Sequence, residues 1–382
     1  MRAEAARRVL ADAEQLSDAP ERRAPPCPHF GRCGGCVLQH ASAELEGAWK
    51  CDLVRAALGR HGLEAELVLA GTAPPGARRR ARLVGRRRGQ GAEIGFRARR
   101  SREIVPIRAC PVLRPEIVAA LPHLRALVAE AAGRRPVELA VTATDAGLDV
   151  DLTGAPEPGP GRAGRLAAIA RAADLARLTL DGAPLAVART PRLRLGPAEV
   201  ALPPGGFVQA AAESEALLQR EVLARVGAAE RVADLFAGIG TFSLPLAAAP
   251  GRRRVHAVEG AAAAIEALAQ AARAAAGLCP LSTELRDLAR RPLLAEELAA
   301  FDAVVLDPPR AGAAEQVAAL APLAGRGWRG RVVMVSCNPA SFARDAARLH
   351  AAGWRITGPV AVVNQFRWSA HVELVATLEP RG

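Results

Sequence analysis

Cys337 stands in Val335-Ser-Cys-Asn-Pro339, where a β-branched run gives way to a proline-started stretch of helical pattern. Carboxyl ends of strands face the ligand crevice of open α/β sheets, so a thiol there reads as a nucleophile in preference to an inert strand-end hydrophobe. Val305-Leu-Asp-Pro-Pro-Arg310 ends the preceding strand at the same edge, and its two prolines stiffen the loop that carries Asp307. Asp234-Leu-Phe-Ala-Gly-Ile-Gly240 follows an earlier strand and opens a helix, with Gly238 and Gly240 permitting a tight turn and close backbone approach by a mononucleotide-type ligand. Glu259 ends the next strand, 19 residues beyond Gly240, where a carboxylate can accept hydrogen bonds from both ribose hydroxyls. A dinucleotide fingerprint would want a third glycine where Ser243 stands, and no Lys-Ser/Thr pair follows to make a phosphate loop. NAD and ATP therefore lose ground, and the pattern fits S-adenosylmethionine. Gln209, in Gly206-Phe-Val-Gln209, is expected to open the helix leading into this sheet and to touch the cofactor. His371-Val-Glu373 is expected to begin a last strand with His371 and Glu373 on one face; either could act as a base, and the spacing equally suits a solvated strand end and a satisfied core imidazole.

Seven cysteines, at 27, 33, 36, 51, 110, 279 and 337, are an odd number in a chain whose first residues lack the apolar core of a secretory signal, which argues against a disulfide framework. Cys27, Cys33 and Cys36 lie within ten residues on a glycine-rich turn able to aim three thiolates at one centre. Cys110, followed by a proline as in some iron–sulfur ligand runs, is the candidate fourth ligand. Four thiolates suit a four-iron cluster or structural zinc; the spacing differs from the paired Cys-x2-Cys of a zinc ribbon and favours iron–sulfur. Cys51 and Cys279 are isolated and read as small buried hydrophobes.

The elements that must position these residues fall into two patterns. From about Gly206 onward, β-branched runs alternate with Ala-rich helical stretches in the rhythm of right-handed βαβ units, with strands at 231–236, 255–259, 301–307, 331–337 and 371–378 and helices near 241–249, 261–276, 313–323 and 340–352. Before it, Arg79–Arg88 with Glu93–Arg99 and Val137–Thr144 with Leu148–Thr153 read as hairpins, Gly154–Gly161 as a surface loop, and regular helix is scarce after the cysteine segment. The expected organisation is a short N-terminal segment (1–26), an antiparallel α+β domain (27–205) and a doubly wound, mostly parallel α/β domain (206–382).

The chain has 382 residues, 50% of them hydrophobic, enough for two or three buried cores and too many for wholesale disorder. No apolar run is long enough to span a membrane, so the cytoplasm is the default location. The net charge of +12 is carried by 50 Arg and the single Lys50, and residues 76–110 alone hold 12 Arg against two Glu. From Gly206 onward 19 Arg face 17 carboxylates, so the basic surface belongs to the first half. A concentrated arginine field suits a phosphate backbone, which makes a nucleic acid the leading partner; a solvated basic sheet face in an Arg-rich chain is the plainer alternative.

Taken together, the cysteine run at 27–40, the cofactor loop at 234–247, Leu-Asp-Pro-Pro-Arg-Ala-Gly at 306–312 and Val-Ser-Cys-Asn-Pro-Ala at 335–340 resemble, in order, four motifs of the bacterial RNA uracil-C5 methyltransferases, most closely the 23S rRNA branch. The resemblance implies a Rossmann-like class I methyltransferase domain preceded by a smaller α+β domain with a [4Fe-4S] cluster on Cys27, Cys33, Cys36 and Cys110. It makes Cys337 the nucleophile and Glu373 the base. It sets Gln209, Phe236, Gly238, Gly240, Thr241, Glu259, Asp287 and Asp307 about the S-adenosylmethionine or the reaction pocket. RNA, 23S rRNA in the first place, is the implied partner, and a monomer is the default. The chain departs from the pattern in three places. Residues 1–26 resemble only the last strand and exit of an RNA-binding barrel, Ala211 replaces an Asn, and Arg367-Trp-Ser369 stands where Pro-His-Thr is usual. Rival readings are tRNA uracil-C5 methylation, cytosine-C5 methylation, which would want a Cys in the Asp307 loop, and an RNA-binding module with an idle pocket.

Overall fold

The structure, a computed structural model, describes residues 19–381; most of the expected segment 1–26 therefore lies outside the described residues. The strands before residue 205 are β1 (Leu67–Thr72), β2 (Arg80–Arg88), β3 (Gly91–Arg97), β4 (Ile104–Pro106), β5 (Val137–Thr144), β6 (Gly147–Thr153), β7 (Arg177–Leu180), β8 (Ala183–Val187), β9 (Arg192–Leu195) and β10 (Ala198–Ala201). Those after it are β11 (Arg231–Leu235), β12 (Arg254–Glu259), β13 (Leu281–Leu285), β14 (Ala303–Leu306), β15 (Arg331–Ser336), β16 (Trp354–Asn364) and β17 (Glu373–Pro380).

Two large sheets result. One runs β1-β16-β17-β15-β14-β11-β12-β13 and is parallel except for β17, which is antiparallel to both neighbours. Its strand order reverses between β11 and β14, the switch point at which such sheets open a crevice. Its central strands are near-continuous apolar runs, Ala303–Leu306 being wholly buried, because helices cover both faces. The other sheet, β4-β3-β2-β5-β6-β7-β8, is antiparallel apart from the β6–β7 pair. Residues of the helices Leu121–Ala131 and Pro160–Ala172 join its core, centred on Leu83, Ile94, Leu124, Leu139 and Val150.

Several elements differ from expectation. The first domain is not confined to its own sheet. A helix, α1 (Ala43–Gly59), follows the cysteine segment where helix was expected to be scarce, and β1 joins the edge of the large parallel sheet beside β16. The boundary near residue 205 is thus crossed by about thirty residues that fold with the second half. The helix starts conventionally, with Ser42 accepting from Leu45 N–H at 3.2 Å. Strand β16 was hidden by Pro359, which sits inside it at a register shift between Thr357 and Ala361, the setting in which a strand tolerates the missing donor. The last strand begins at Glu373, so His371 lies in the approach to it. Among the described residues no helix is long and apolar enough to cross a membrane.

Trp354 anchors the far end of the large sheet. Its ring is wholly buried, tilted against Trp328 at 5.6 Å between centroids, and its Nε1 donates to the Ala321 carbonyl at 3.2 Å. Trp354→Ala is expected to destabilise the folded chain by about 3–5 kcal/mol, read as a lower denaturant midpoint, without altering the groups at the opposite edge of the sheet.

Candidate active site

The loop after β11 is bent by three residues in the left-handed region, Phe236 (φ 64°), Gly238 (φ 57°) and Gly240 (φ 97°). Gly240 is needed twice over, since a Cβ there would fall 2.4 Å from Leu268 Cδ1 on the helix Ala262–Ala274, whereas a Cβ on Gly238 would meet open space. The serine that breaks the dinucleotide fingerprint has its own task. Ser243 Oγ donates to the wholly buried Asp234 at 2.5 Å, and burial pushes the Asp234 carboxyl up to about 7. Thr241 is buried beside it, its carbonyl held by Gln219 Nε2 at 3.1 Å.

Glu259, at the end of β12, faces this loop. One oxygen accepts from Gly238 N–H at 2.9 Å and the other from Ala261 N–H at 2.7 Å, so the carboxylate ties two loops together and keeps further lone pairs for a ligand. Asp287, just after β13, has its backbone against Gly260; its own side chain is exposed and accepts from Ala289 N–H at 3.0 Å.

Asp307 follows β14, its N–H donating to the Leu235 carbonyl at 3.3 Å across the switch point. Burial, and then the nearby Asp234 charge, pushes its carboxyl up to about 7. Cys337 follows β15. The polar residues on either side of it are consumed locally: Asn338 N–H donates to Ser336 Oγ at 3.2 Å, and Ser336 Oγ donates to the Asn338 carbonyl. The Asn338 side chain caps the helix Pro339–Ala351 through Ala340 N–H and donates to the Arg310 carbonyl at 2.9 Å, locking the two loops together. Cys337 is left half-buried with a free thiol. Burial, then the Glu373 and Asp307 carboxylates, pushes that thiol up to about 11, against the pull of Arg310.

Glu373 begins β17 and is 4% exposed. The register that sets Ser336 against Leu374 brings it to the edge where Cys337 emerges. Burial, then Asp307, pushes its carboxyl up to about 8, opposed by a hydrogen bond from Gln365 and by the Arg310 and Arg80 charges. Gln209 is buried too, its Oε1 accepting from Gln365 Nε2 at 2.9 Å; it lies in extended chain three residues before the helix Ala212–Val226 and so does not open that helix. His371, expected to share a strand face with Glu373, points into a different space, lining a cavity with the cysteines.

That cavity, about 270 Å³, is lined by Cys27, Cys33, Cys36 and Cys110 together with Arg78, Arg80 and Arg82. Two separate segments meet there, the first docked by Gly34 N–H donating to the Arg97 carbonyl at 2.9 Å. Burial raises the Cys33, Cys36 and Cys110 thiols, Cys36 to about 12, and the neighbouring sulfurs raise them further. Among the described residues no three His, Cys, Asp or Glu side chains stand close enough to hold one metal ion. The four thiols share the lining of one cavity.

Sequence reasoning missed Gln365, which bridges Gln209 and Glu373, and Arg79, whose buried guanidinium donates to the Gln209 carbonyl at 3.0 Å and pairs with Glu215 at 2.7 Å. Neither carries a local signal: one sits in a loop, the other in a segment, 76–110, that holds twelve arginines.

Comparison with known proteins accords with this arrangement. The family described as tRNA (Uracil-5-)-methyltransferase matches residues 203–381. An "uncharacterized RNA methyltransferase" of Caulobacter vibrioides is 47% identical over 95% of this chain and 87% of its own length. The 23S rRNA (uracil(1939)-C(5))-methyltransferase RlmD of Chromohalobacter salexigens is 38% identical over 97% of this chain and 79% of its own length. In fold, the chain is similar to the Pyrococcus abyssi tRNA (uracil-54, C5)-methyltransferase crystallised with S-adenosyl-L-homocysteine, with a TM-score of 0.70, 24% identity, and coverage of 95% of this chain and 87% of that one. The matched relatives, the class I methyltransferase-like fold and the grouping of motifs at one sheet edge lead to one conclusion: the chain belongs to the RNA uracil-C5 methyltransferases and is an S-adenosylmethionine-dependent RNA methyltransferase.

Proposed function

We propose that the chain methylates C5 of a uridine in 23S rRNA through a covalent bond between Cys337 and C6 of the base. The observation that carries this reading is the gathering of Cys337, Asp307, Glu373 and Arg310 at the carboxyl edge of β14 and β15 and the start of β17, close enough that the charges of the other three shift the Cys337 thiol. C5 of uracil is a poor nucleophile until a thiolate adds to C6 and leaves an enolate; Cys337 supplies that thiolate. S-adenosylmethionine, when bound, supplies the methyl group that C5 acquires. Glu373 then takes the C5 proton, the C5–C6 double bond re-forms, Cys337 leaves as thiolate, and Glu373 passes the proton to solvent, so the enzyme is regenerated without redox change.

Glu259, with lone pairs to spare beside the Gly238 backbone, suits the ribose hydroxyls, and Phe236, Gly238, Gly240, Thr241 and Asp287 line the loops around it. Gln209 and Asp307 bound the reacting side. The four cysteines that line one cavity are the residues that would hold a [4Fe-4S] cluster, and their spacing differs from the paired Cys-x2-Cys of a zinc ribbon. The proposed cluster ties the basic segment to the rest of the chain and takes no part in methyl transfer. The arginines of 76–110 supply phosphate contacts that offset the cost of drawing the target base from its stack. The protein acts as a monomer in the cytoplasm.

Transfer of labelled methyl from S-adenosylmethionine to unmodified 23S rRNA, and separately to unmodified tRNA, tests the reading. 5-Methyluridine is expected in 23S rRNA alone; label in tRNA would overturn the substrate assignment, and transfer by Cys337→Ala at the wild-type rate would overturn the mechanism. The pH dependence has a definite sign. Glu373 takes a proton only as carboxylate, and its carboxyl is raised to about 8, so resolution of the covalent adduct is expected to speed up as pH rises through that value and to lose this dependence in Glu373→Gln, measured by quenching single turnovers. Cys33→Ser is expected to abolish the visible absorption of the purified protein and weaken RNA binding while S-adenosylhomocysteine still binds; loss of that binding too would contradict the division of roles.

A further inference from the structure

Lys50 is the only lysine among 51 basic residues, and it is wholly buried. A chain that uses arginine everywhere else has kept an ammonium at one interior position. The surroundings of Lys50 supply the reason. Nζ donates to Asn364 Oδ1 and to the Phe366 carbonyl, the latter at 2.9 Å, and stands 3.5 Å from Glu46 Oε1 one helical turn earlier on α1. Two hydrogen-bond acceptors and a carboxylate around one buried nitrogen suit a compact ammonium with three rotatable donors better than the planar fork of a guanidinium.

Glu46 is equally buried, and its Oε1 also accepts from Trp368 N–H at 2.5 Å. The pair therefore grips the link between β16 and β17 at Asn364, Phe366 and Trp368. Trp368 is held at φ 61°, a strained conformation for a bulky residue, and its carbonyl accepts from Val37 and Leu38 N–H at 2.7 and 3.0 Å, immediately after Cys36. Between the gripped residues lies Gln365. Its Oε1 accepts from Ala211 N–H at 3.4 Å, and the two hydrogens of its amide go to Gln209 Oε1 at 2.9 Å and Glu373 Oε1 at 3.3 Å. With every amide position assigned, the direction from which Glu373 is held follows from the path of 364–368, and that path follows from Lys50 and Glu46.

We propose that Lys50 and Glu46 are a positioning pair for the methylation reaction, fixing the 364–368 segment so that the Gln365 amide orients Glu373 and Gln209 together. The proposal rests on the reading of Glu373 as the base. Neither residue of the pair touches a reacting group; both act through Gln365.

The test uses the full chain with unmodified 23S rRNA, following methyl incorporation and, on denaturing gels, the protein–RNA adduct. Lys50→Met and Gln365→Leu are expected to retain S-adenosylhomocysteine binding, since neither side chain bonds the Glu259 carboxylate or its loops, with at most a modest weakening through Gln209. They are expected to resolve the adduct between about tenfold and a hundredfold more slowly, the penalty for a misplaced base, so that adduct accumulates. Lys50→Arg is expected to behave like Lys50→Met, for the geometric reason above. Resolution at the wild-type rate in Gln365→Leu overturns the proposal, also in the case where Lys50→Met does not fold, as does wild-type behaviour of Lys50→Arg. Glu373→Gln, run in parallel, separates the two levels: an unstalled adduct there removes the base assignment itself, whereas a stalled adduct there with normal Lys50 and Gln365 variants removes only the positioning pair.

Discussion

Strand β17 runs against both of its neighbours, and the rest of the site follows from that reversal. In a parallel sheet every strand ends at the ligand edge, so only residues that follow a strand can reach the crevice. An antiparallel strand enters at the same edge, and its first residue arrives where the others finish. Glu373 is that residue, and it arrives beside the loop of Cys337, which follows the adjacent strand β15. An acid and a thiol from distant parts of the chain are thereby set together without any special loop, by hydrogen-bond ladders that are among the most rigid parts of the fold.

The electrostatic consequence is a crowded edge. Asp234, Asp307 and Glu373 are all raised by burial, Asp234 raises Asp307, and Asp307 and Glu373 together raise Cys337. Arg310 and Arg80 are the countercharges the chain itself supplies there. Burial is the larger cause in each case, and the neighbouring acids add to it, so together they disfavour the free thiolate at Cys337. The second sheet contributes at the same place. Its β2 continues backward into Arg79, whose N–H and side chain both bond the 209–210 segment and whose charge is matched by Glu215 at the start of the next helix. Breaking one partner of that buried pair would leave the other uncompensated, so the two halves of the chain are held in register at the site itself.

The cysteine segment is coupled to the same edge by a short path. Val37 and Leu38 bond Trp368, Trp368 bonds Glu46, and Gln365, three residues away, bonds Glu373. Whatever occupies the cysteine cavity sits at one end of that path, and the proposed base sits at the other. The arginine-rich strand β2 and His371 face the cavity as well, so the basic surface, the thiols and the reactive edge are neighbours.

The four motifs were legible because each is local: a glycine loop after a strand, prolines after an aspartate, a cysteine between a strand and a capped helix, and three cysteines within ten residues all follow from φ/ψ limits and strand or helix period over a few residues. The hairpins of the second sheet and the central βαβ strands were legible for the same reason. What the sequence could not reveal is where distant stretches return. Strand β1 and helix α1 pattern as part of the first domain and fold with the second, because an edge strand and one more helix complete the cover of the large sheet. Strand β16 hides behind a proline whose missing N–H matters only once the bulge exists. Lys50, Glu46, Arg79 and Gln365 look like ordinary surface polar residues in the linear chain; their meaning depends on being stripped of water and on the few groups that then remain within hydrogen-bond reach. The sequence alone determined which chemistry was on offer, through residue type and short-range spacing, and only the tertiary structure decided which side chains face one another, because burial and long-range pairing are properties of the packed chain.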